Sequence, residues 1–158
     1  MGQFDIGSVP PPPYSALFER RQQEDKKDQF GYGDVWTFTA ICADSKLVPL
    51  WHIGRRDYIN ARDFMQDLAG RLNSRVQLTT DGHRMYLEAV ENAFGSEIDF
   101  SQLVKLYGTS EEGEKRYSPA KCIGTQKHKI NGNPDNKSIS TSYVERQNLT
   151  MAHVYKSA

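Results

Sequence analysis

The order of strand-like and helix-like segments predicts a mixed α/β domain built on a central sheet. Aromatic and β-branched residues gather in short runs, whereas two longer stretches place apolar residues three and four positions apart. A hairpin, a helix, a strand, a second helix and a further strand follow one another along the chain. This order is typical of a sheet in which helices cross between parallel strands. The length of 158 residues suits one such domain.

The first elements are a β-hairpin and an amphipathic helix. Residues 34–42 and 46–53 are the two predicted strands, and Pro49 indicates an edge position or a bulge in the second. Over residues 58–72 the apolar side chains recur at helical spacing, which predicts a helix with one buried face.

A strand, a second helix and another strand are predicted next. Residues 76–80 and 103–107 are the strands, and Gly95 is expected to end the helix between them. Residues 108–140 are rich in Gly, Lys, Ser and Asn, which predicts a long loop that could carry a hairpin. A last helix is predicted to begin at Ser142, because Glu145 three residues later completes a capping-box pattern.

Composition indicates a soluble, cytoplasmic protein. No apolar run approaches the roughly 18 residues of a membrane span, and the N-terminus lacks the layout of a signal peptide. Cys42 and Cys122 lie far apart, so neither a disulfide framework nor a zinc site is expected. Residues 115–158 carry eight basic and two acidic residues. Such a segment could contact phosphates or form a solvated loop, and charge alone does not separate the two.

Two carboxylates lie where α/β sheets commonly place chemistry. Asp81 directly follows the strand at 76–80, and ligand loops lie outside the carboxyl ends of strands. Glu145 lies 64 positions further on, at the start of a helix, where the helix dipole favours an anion. Together they could hold Mg²⁺ or Mn²⁺, which prefer oxygen ligands. Simpler interpretations stay open: Asp-Gly after a strand is most often a turn, and Glu145 could serve only as a capping acid.

Longer motifs around these acids resemble a known family. TTDGH at 79–83 and STSYVERQNLT at 140–150 are together similar to insertion-sequence transposases of the DDE class, in particular bacterial relatives of the insertion-sequence-one family. GYGDVWT at 31–37 and EGEKRYSP at 112–119 resemble the same group, so the resemblance spans about residues 29–151.

The resemblance implies an RNase H-like fold, a mixed sheet flanked by helices. It also implies metal-dependent cleavage and strand transfer on transposon-end DNA, with Mg²⁺ or Mn²⁺ as cofactor. Asp81 and Glu145 would be the second and third acids of a catalytic, metal-binding triad. The implied DNA contacts are Lys115, Arg116, Arg146 and Asn148.

The N-terminus departs from the family pattern. The family carries its first acid on the first strand, in an Asp-Glu-x-Trp motif, whereas residues 10–15 here read PPPPYS. The first strand and its acid are therefore predicted to be missing. Asp5, Asp34 and Asp44 are the acids that could replace it.

The C-terminus departs as well, because MAHVYKSA stands where the family continues with a basic run and further helices. The predicted organisation is an unrelated or disordered segment at 1–28, a partial catalytic domain at 29–151 and a divergent tail at 152–158. The expected function is that of a truncated transposase fragment without activity. The alternative is a non-enzymatic fragment that binds DNA or pairs with an intact transposase. DNA, a second copy of the chain or an intact transposase are the expected partners, and a membrane is not.

Overall fold

The computed structural model describes residues 2–9, 35–108 and 121–157, and these form a six-stranded mixed sheet with helices on both faces. The strands are β1 (Gln3–Val9), β2 (Trp36–Cys42), β3 (Leu50–Gly54), β4 (Gln77–Asp81), β5 (Asp99–Tyr107) and β6 (Cys122–Asn131). The helices are α1 (Tyr58–Arg71), α2 (Met85–Phe94) and α3 (Ser142–Ser157), with a short 3₁₀ helix at Asn136–Ser138. No helix within these ranges is long and apolar enough to cross a membrane.

The strand order is β3-β2-β1-β4-β5-β6. β1, β2 and β3 pair antiparallel, β4 runs parallel to both β1 and β5, and β6 closes the other edge antiparallel to β5. The predicted mixed α/β sheet flanked by helices is confirmed. Because β1, β4 and β5 run in the same direction, their carboxyl ends lie together along one side of the sheet, at the ends of the strands. This side is called the carboxyl edge below.

The first strand, which the sequence predicted to be missing, is present. β1 lies at the centre of the sheet between β2 and β4, inside the segment 1–28 that was predicted to be unrelated or disordered. Polar or small residues such as Asp5 and Gly7 alternate with the apolar residues of β1, so its local pattern does not resemble that of a central strand. β1 is a strand because it pairs with both β2 and β4, and this pairing cannot be recognised from the local sequence. Residues 10–34 lie outside the described part of the chain.

The apolar core fills the space between the sheet and the pair α1 and α2. Phe38 on β2 packs on Phe64 of α1, with ring centroids 5.8 Å apart. Leu78 on β4 and Tyr86 on α2 are fully buried in the same core. The helix boundaries are close to those predicted, and α2 ends at Gly95, whose φ of 55° is a conformation that favours glycine.

The region predicted as a long loop contains a strand. β6 pairs antiparallel with β5, whereas the hairpin suggested from the sequence lay within residues 108–140, and residues 109–120 between the two strands lie outside the described residues. Nearly all β6 side chains are exposed, so this strand shows no apolar alternation in the sequence. β3 is shorter than predicted and begins directly after Pro49, which has no backbone N–H to donate to a strand.

Candidate functional site

A cleft of about 620 Å³ opens at the edge of the sheet where the carboxyl ends of β1, β4 and β5 meet. The first turns of α3 form its other wall. Asp81, at the end of β4, and Glu145, in the first turn of α3, both line this cleft. The structure therefore brings together the two acids that the sequence separates by 64 positions.

Asp81 has one oxygen in a turn and the other in an ion pair. Its Oδ1 accepts a hydrogen bond of 3.0 Å from the backbone N–H of His83, which closes the turn between β4 and α2. Its Oδ2 accepts one of 3.1 Å from Nη2 of Arg56. Gly82 is required between them, because a Cβ at that position would lie 2.7 Å from Cγ2 of Val104. The turn interpretation and the site interpretation of Asp81 are thus compatible.

Glu145 is held by a hydroxyl and an ammonium group. Oγ1 of Thr141 donates to its Oε1 over 2.8 Å, and Nζ of Lys105 on β5 lies 2.6 Å from the same oxygen. Burial lowers the pKa of Lys105, but the hydrogen bond and the charge of Glu145 outweigh it and hold that pKa above its ordinary value. The predicted capping box is wrong, since α3 begins at Ser142 and the carboxylate of Glu145 bonds to Thr141 instead.

The side chain of Arg56 lines the cleft and contacts residues of three strands. Its Nε donates to Oγ of Ser8 on β1 over 3.0 Å, while Nη2 reaches Asp81 on β4. Its guanidinium carbon lies 4.6 Å from the ring centroid of Trp36 on β2. These contacts fix both the position and the plane of the guanidinium group.

Asp5 lies on β1, the strand that the resemblance assigns to the first acid, but it does not line the cleft. Its register partner on β4 is Thr79, which places it two residues before Asp81 and roughly 7 Å deeper along the strand. The side chain is fully buried, and within the described residues neither carboxyl oxygen makes a hydrogen bond of ordinary geometry. Burial raises the pKa of Asp5 to about 7, against the opposing effects of the Tyr143 backbone amide and the Lys46 ammonium group.

The other two acids considered as replacements do not complete the site either. Asp44 lies exposed in the turn between β2 and β3 and does not line the cleft, and Asp34 lies outside the described residues. Within residues 2–9, 35–108 and 121–157, no group of three or more His, Cys, Asp and Glu side chains is arranged to hold a metal ion. Asp81 and Glu145 have the right chemistry for Mg²⁺ or Mn²⁺, and such an ion would compete with Arg56 and Lys105 for them.

The predicted DNA contacts fall into three environments. Arg146 is exposed on α3. Asn148 lines the cleft, is 9% exposed and has no partner for its Oδ1 in the described part of the chain. Lys115 and Arg116 lie outside the described residues.

Sequence reasoning missed Arg56, Lys105 and Ser8. An arginine between a strand and a helix, or a lysine in a strand, has no local signature that separates it from an ordinary surface cation. The only available signal was position, because Arg56 follows β3 and Lys105 lies near the end of β5, at the edge where ligand sites form.

No protein-family model matches the chain. Comparison with curated proteins also finds no significant match.

Proposed function

We propose that this chain is a DDE transposase catalytic-domain fragment with an RNase H-like fold, which binds transposon-end DNA and has weak or no cleavage and strand-transfer activity. One observation carries the proposal: Asp81 and Glu145 line the same cleft at the carboxyl edge of the sheet. The resemblance names these two residues as metal-binding acids, and their position is the one that an open α/β sheet offers to a ligand.

The sheet supports the fold that the resemblance implies. That fold is a mixed sheet flanked by helices. In the observed sheet, three antiparallel strands are followed by two parallel strands, and α1 and α2 are the connections that lead to these two. β1 supplies the central strand that the sequence predicted to be missing.

The cleft residues would position two metal ligands from opposite walls. A bound divalent ion would activate water or a 3′-hydroxyl and stabilise charge on the phosphodiester. The amide of His83 orients Asp81, and Thr141 orients Glu145, so both carboxylates are held before any ligand arrives. Activity is expected to be weak because Asp5, the acid on β1, lies below the cleft and is largely protonated at pH values under its pKa of about 7.

Cleavage and binding assays on labelled DNA duplexes and supercoiled plasmid test this proposal, with Mg²⁺ or Mn²⁺ against EDTA. The chain should bind DNA and show little or no nicking. Any residual nicking should disappear in Asp81→Asn and in Glu145→Gln, but persist in Asp67→Asn, which removes an exposed α1 acid paired with Arg71. Efficient metal-dependent strand transfer would contradict the weak activity, and failure to bind DNA at low salt would contradict the proposed function itself.

The alternative is a non-enzymatic fragment that binds DNA or pairs with an intact transposase. The observation in its favour is that each acid of the cleft already faces a cation, Arg56 beside Asp81 and Lys105 beside Glu145. Salt-dependent DNA binding that Mg²⁺ and Mn²⁺ leave unchanged, with no cleavage under any metal condition, would favour it. Co-sedimentation with an intact transposase would favour the pairing form.

A further inference from the structure

We propose that Arg56 and Lys105 form a phosphate-binding pair that holds a DNA phosphodiester in the cleft without a divalent ion. Both cations line the cleft, Arg56 beside Asp81 and Lys105 beside Glu145. The identity of the ligand as DNA rests on the proposed function. The identity of the anchoring side chains rests on the geometry of the cleft.

The guanidinium group of Arg56 is held in a fixed orientation in which it can bind an anion. Its Nε and Nη2 donate to Ser8 and Asp81, and the contact with Trp36 fixes the plane of the group. Its Nη1 has no partner among the described residues, so two further N–H donors are available at the cleft. A guanidinium group whose orientation is already fixed loses little freedom when it binds a phosphate oxygen.

Lys105 supplies the second charge from the neighbouring strand. Its ammonium group carries three donors, and among the described residues it meets one acid, Glu145. The side chain is 34% exposed, so the group is accessible from the cleft. A lysine side chain is positively charged through the neutral range.

The positive surface continues beyond the cleft onto β6. Lys127 and Lys129 are the register partners of Leu103 and Ser101 on β5, so they project from the same face of the sheet as Lys105. Within the described residues neither lysine forms an ion pair, and Nζ of Lys127 donates to the carbonyl oxygen of Asn136. Cations repeated along one face suit a polymer of phosphates better than a single free phosphate ion.

Asp81 and Glu145 have opposite effects on DNA binding in the two modes, direct binding by the cations and binding through a metal bridge. In a metal-free cleft, Asp81 and Glu145 compete with DNA for the two cations and repel its phosphates. Removing either negative charge should therefore tighten DNA binding. A phosphate bridged to the protein through a divalent ion would behave in the opposite way, because the acids would then be the anchors.

Fluorescence anisotropy with a labelled DNA duplex in EDTA tests the pair. Arg56→Ala and Lys105→Ala should each weaken binding by roughly tenfold or more, since each removes charge-assisted hydrogen bonds. Arg56→Lys should lie between Arg56→Ala and the wild type, because it keeps the charge and loses the fork. Asp81→Asn and Glu145→Gln should tighten binding. Arg71→Ala, which removes an exposed cation paired with Asp67 on α1, is the matched control and should bind as the wild type does.

Thermal melts of every variant establish folding, and if Arg56→Ala does not fold, Lys105→Ala and Arg56→Lys carry the test. Wild-type binding that Arg56→Ala and Lys105→Ala leave unchanged would overturn this inference while the proposed function stands. Binding that requires Mg²⁺ and is lost in Asp81→Asn would overturn it in favour of a metal bridge. Absence of any DNA binding by the wild type would overturn the proposed function, and tighter binding of a matched RNA duplex would overturn DNA as the ligand.

Discussion

The buried strand side chains are mostly apolar on the face of the sheet that α1 and α2 cover and mostly polar on the face that α3 covers. β1 shows the contrast within four residues: Phe4 and Ile6 enter the apolar core, whereas Asp5 and Gly7 face α3. The buried polar residues on the α3 face of the strands are Asp5, Thr39, Gln77, Thr79, Asp99 and Ser101. Each central strand thus contributes alternate residues to the apolar core and to the face that α3 covers.

The two faces also differ in how completely their polar groups are bonded. Among the described residues, three of the buried side chains that lack a hydrogen-bond partner for at least one atom lie on the α3 side: Asp5, Thr39 and Asn148. Each unpartnered buried group costs about 1–3 kcal/mol. The apolar face therefore supplies most of the stability, and the unpartnered groups under α3 reduce it.

The largest effect is expected on the apolar face. Phe64 is 1% exposed and packs on Phe38, so Phe64→Ala should lower the free energy of unfolding by about 3–5 kcal/mol. Urea denaturation followed by circular dichroism measures this. Ile59→Ala, on the same helix but 58% exposed, should change it by less than about 0.5 kcal/mol. Equal effects of the two substitutions would mean that the apolar face does not carry the stability.

On the α3 face the corresponding test uses Asp5, whose contribution to the free energy of unfolding depends on pH. The pKa of Asp5 is about 7 in the folded chain and near 3.9 when unfolded, so its folded environment favours the protonated acid. The contribution of that protonated form is fully present below about pH 4 and is lost as the pH rises through 7. The loss is on the order of 4 kcal/mol, at about 1.36 kcal/mol per pKa unit.

Asp5→Asn cannot ionise and should escape this loss. Its stability relative to the wild type should rise between pH 5 and pH 8, measured by urea denaturation at each pH. Asp44→Asn changes an exposed acid in the turn between β2 and β3, and its stability difference from the wild type should stay nearly constant over the same range. A constant difference for Asp5→Asn would show that the buried carboxyl group does not titrate there.

The sequence predicted the elements whose pattern is local. The helix expected at 58–72 is observed at Tyr58–Arg71, because a helix that packs one face on a core repeats its apolar residues along that face. The strand ending at Asp81 and the helix ended by Gly95 have equally clear local signals. β1 and β6 were missed because β1 depends on its two neighbours and β6 buries almost no side chain.

The candidate site was also predicted only in part from the sequence. Asp81 and Glu145 were identified as candidates from motif and position, and the structure places both in one cleft. The partners that hold them could not be identified from the sequence. Arg56 lies at the cleft only because β1, β2 and β4 lie side by side, and Lys105 meets Glu145 only because the first turn of α3 approaches β5.

A smaller effect tests how closely α3 approaches the sheet. A Cβ at Gly7 would lie 3.0 Å from Cγ1 and 3.1 Å from Cγ2 of Val144, so Gly7→Ala should push α3 away and lower stability by about 1–3 kcal/mol. In a double-mutant cycle measured by urea denaturation, Val144→Ala should relieve the clash and give a coupling energy of at least about 0.5 kcal/mol. Gly70→Ala is the matched control, because a Cβ there meets nothing within 4 Å, and it should be neutral or stabilising. If Gly7→Ala behaves like Gly70→Ala, α3 does not rest on β1, and the wall of the cleft that carries Glu145 is not fixed by this contact.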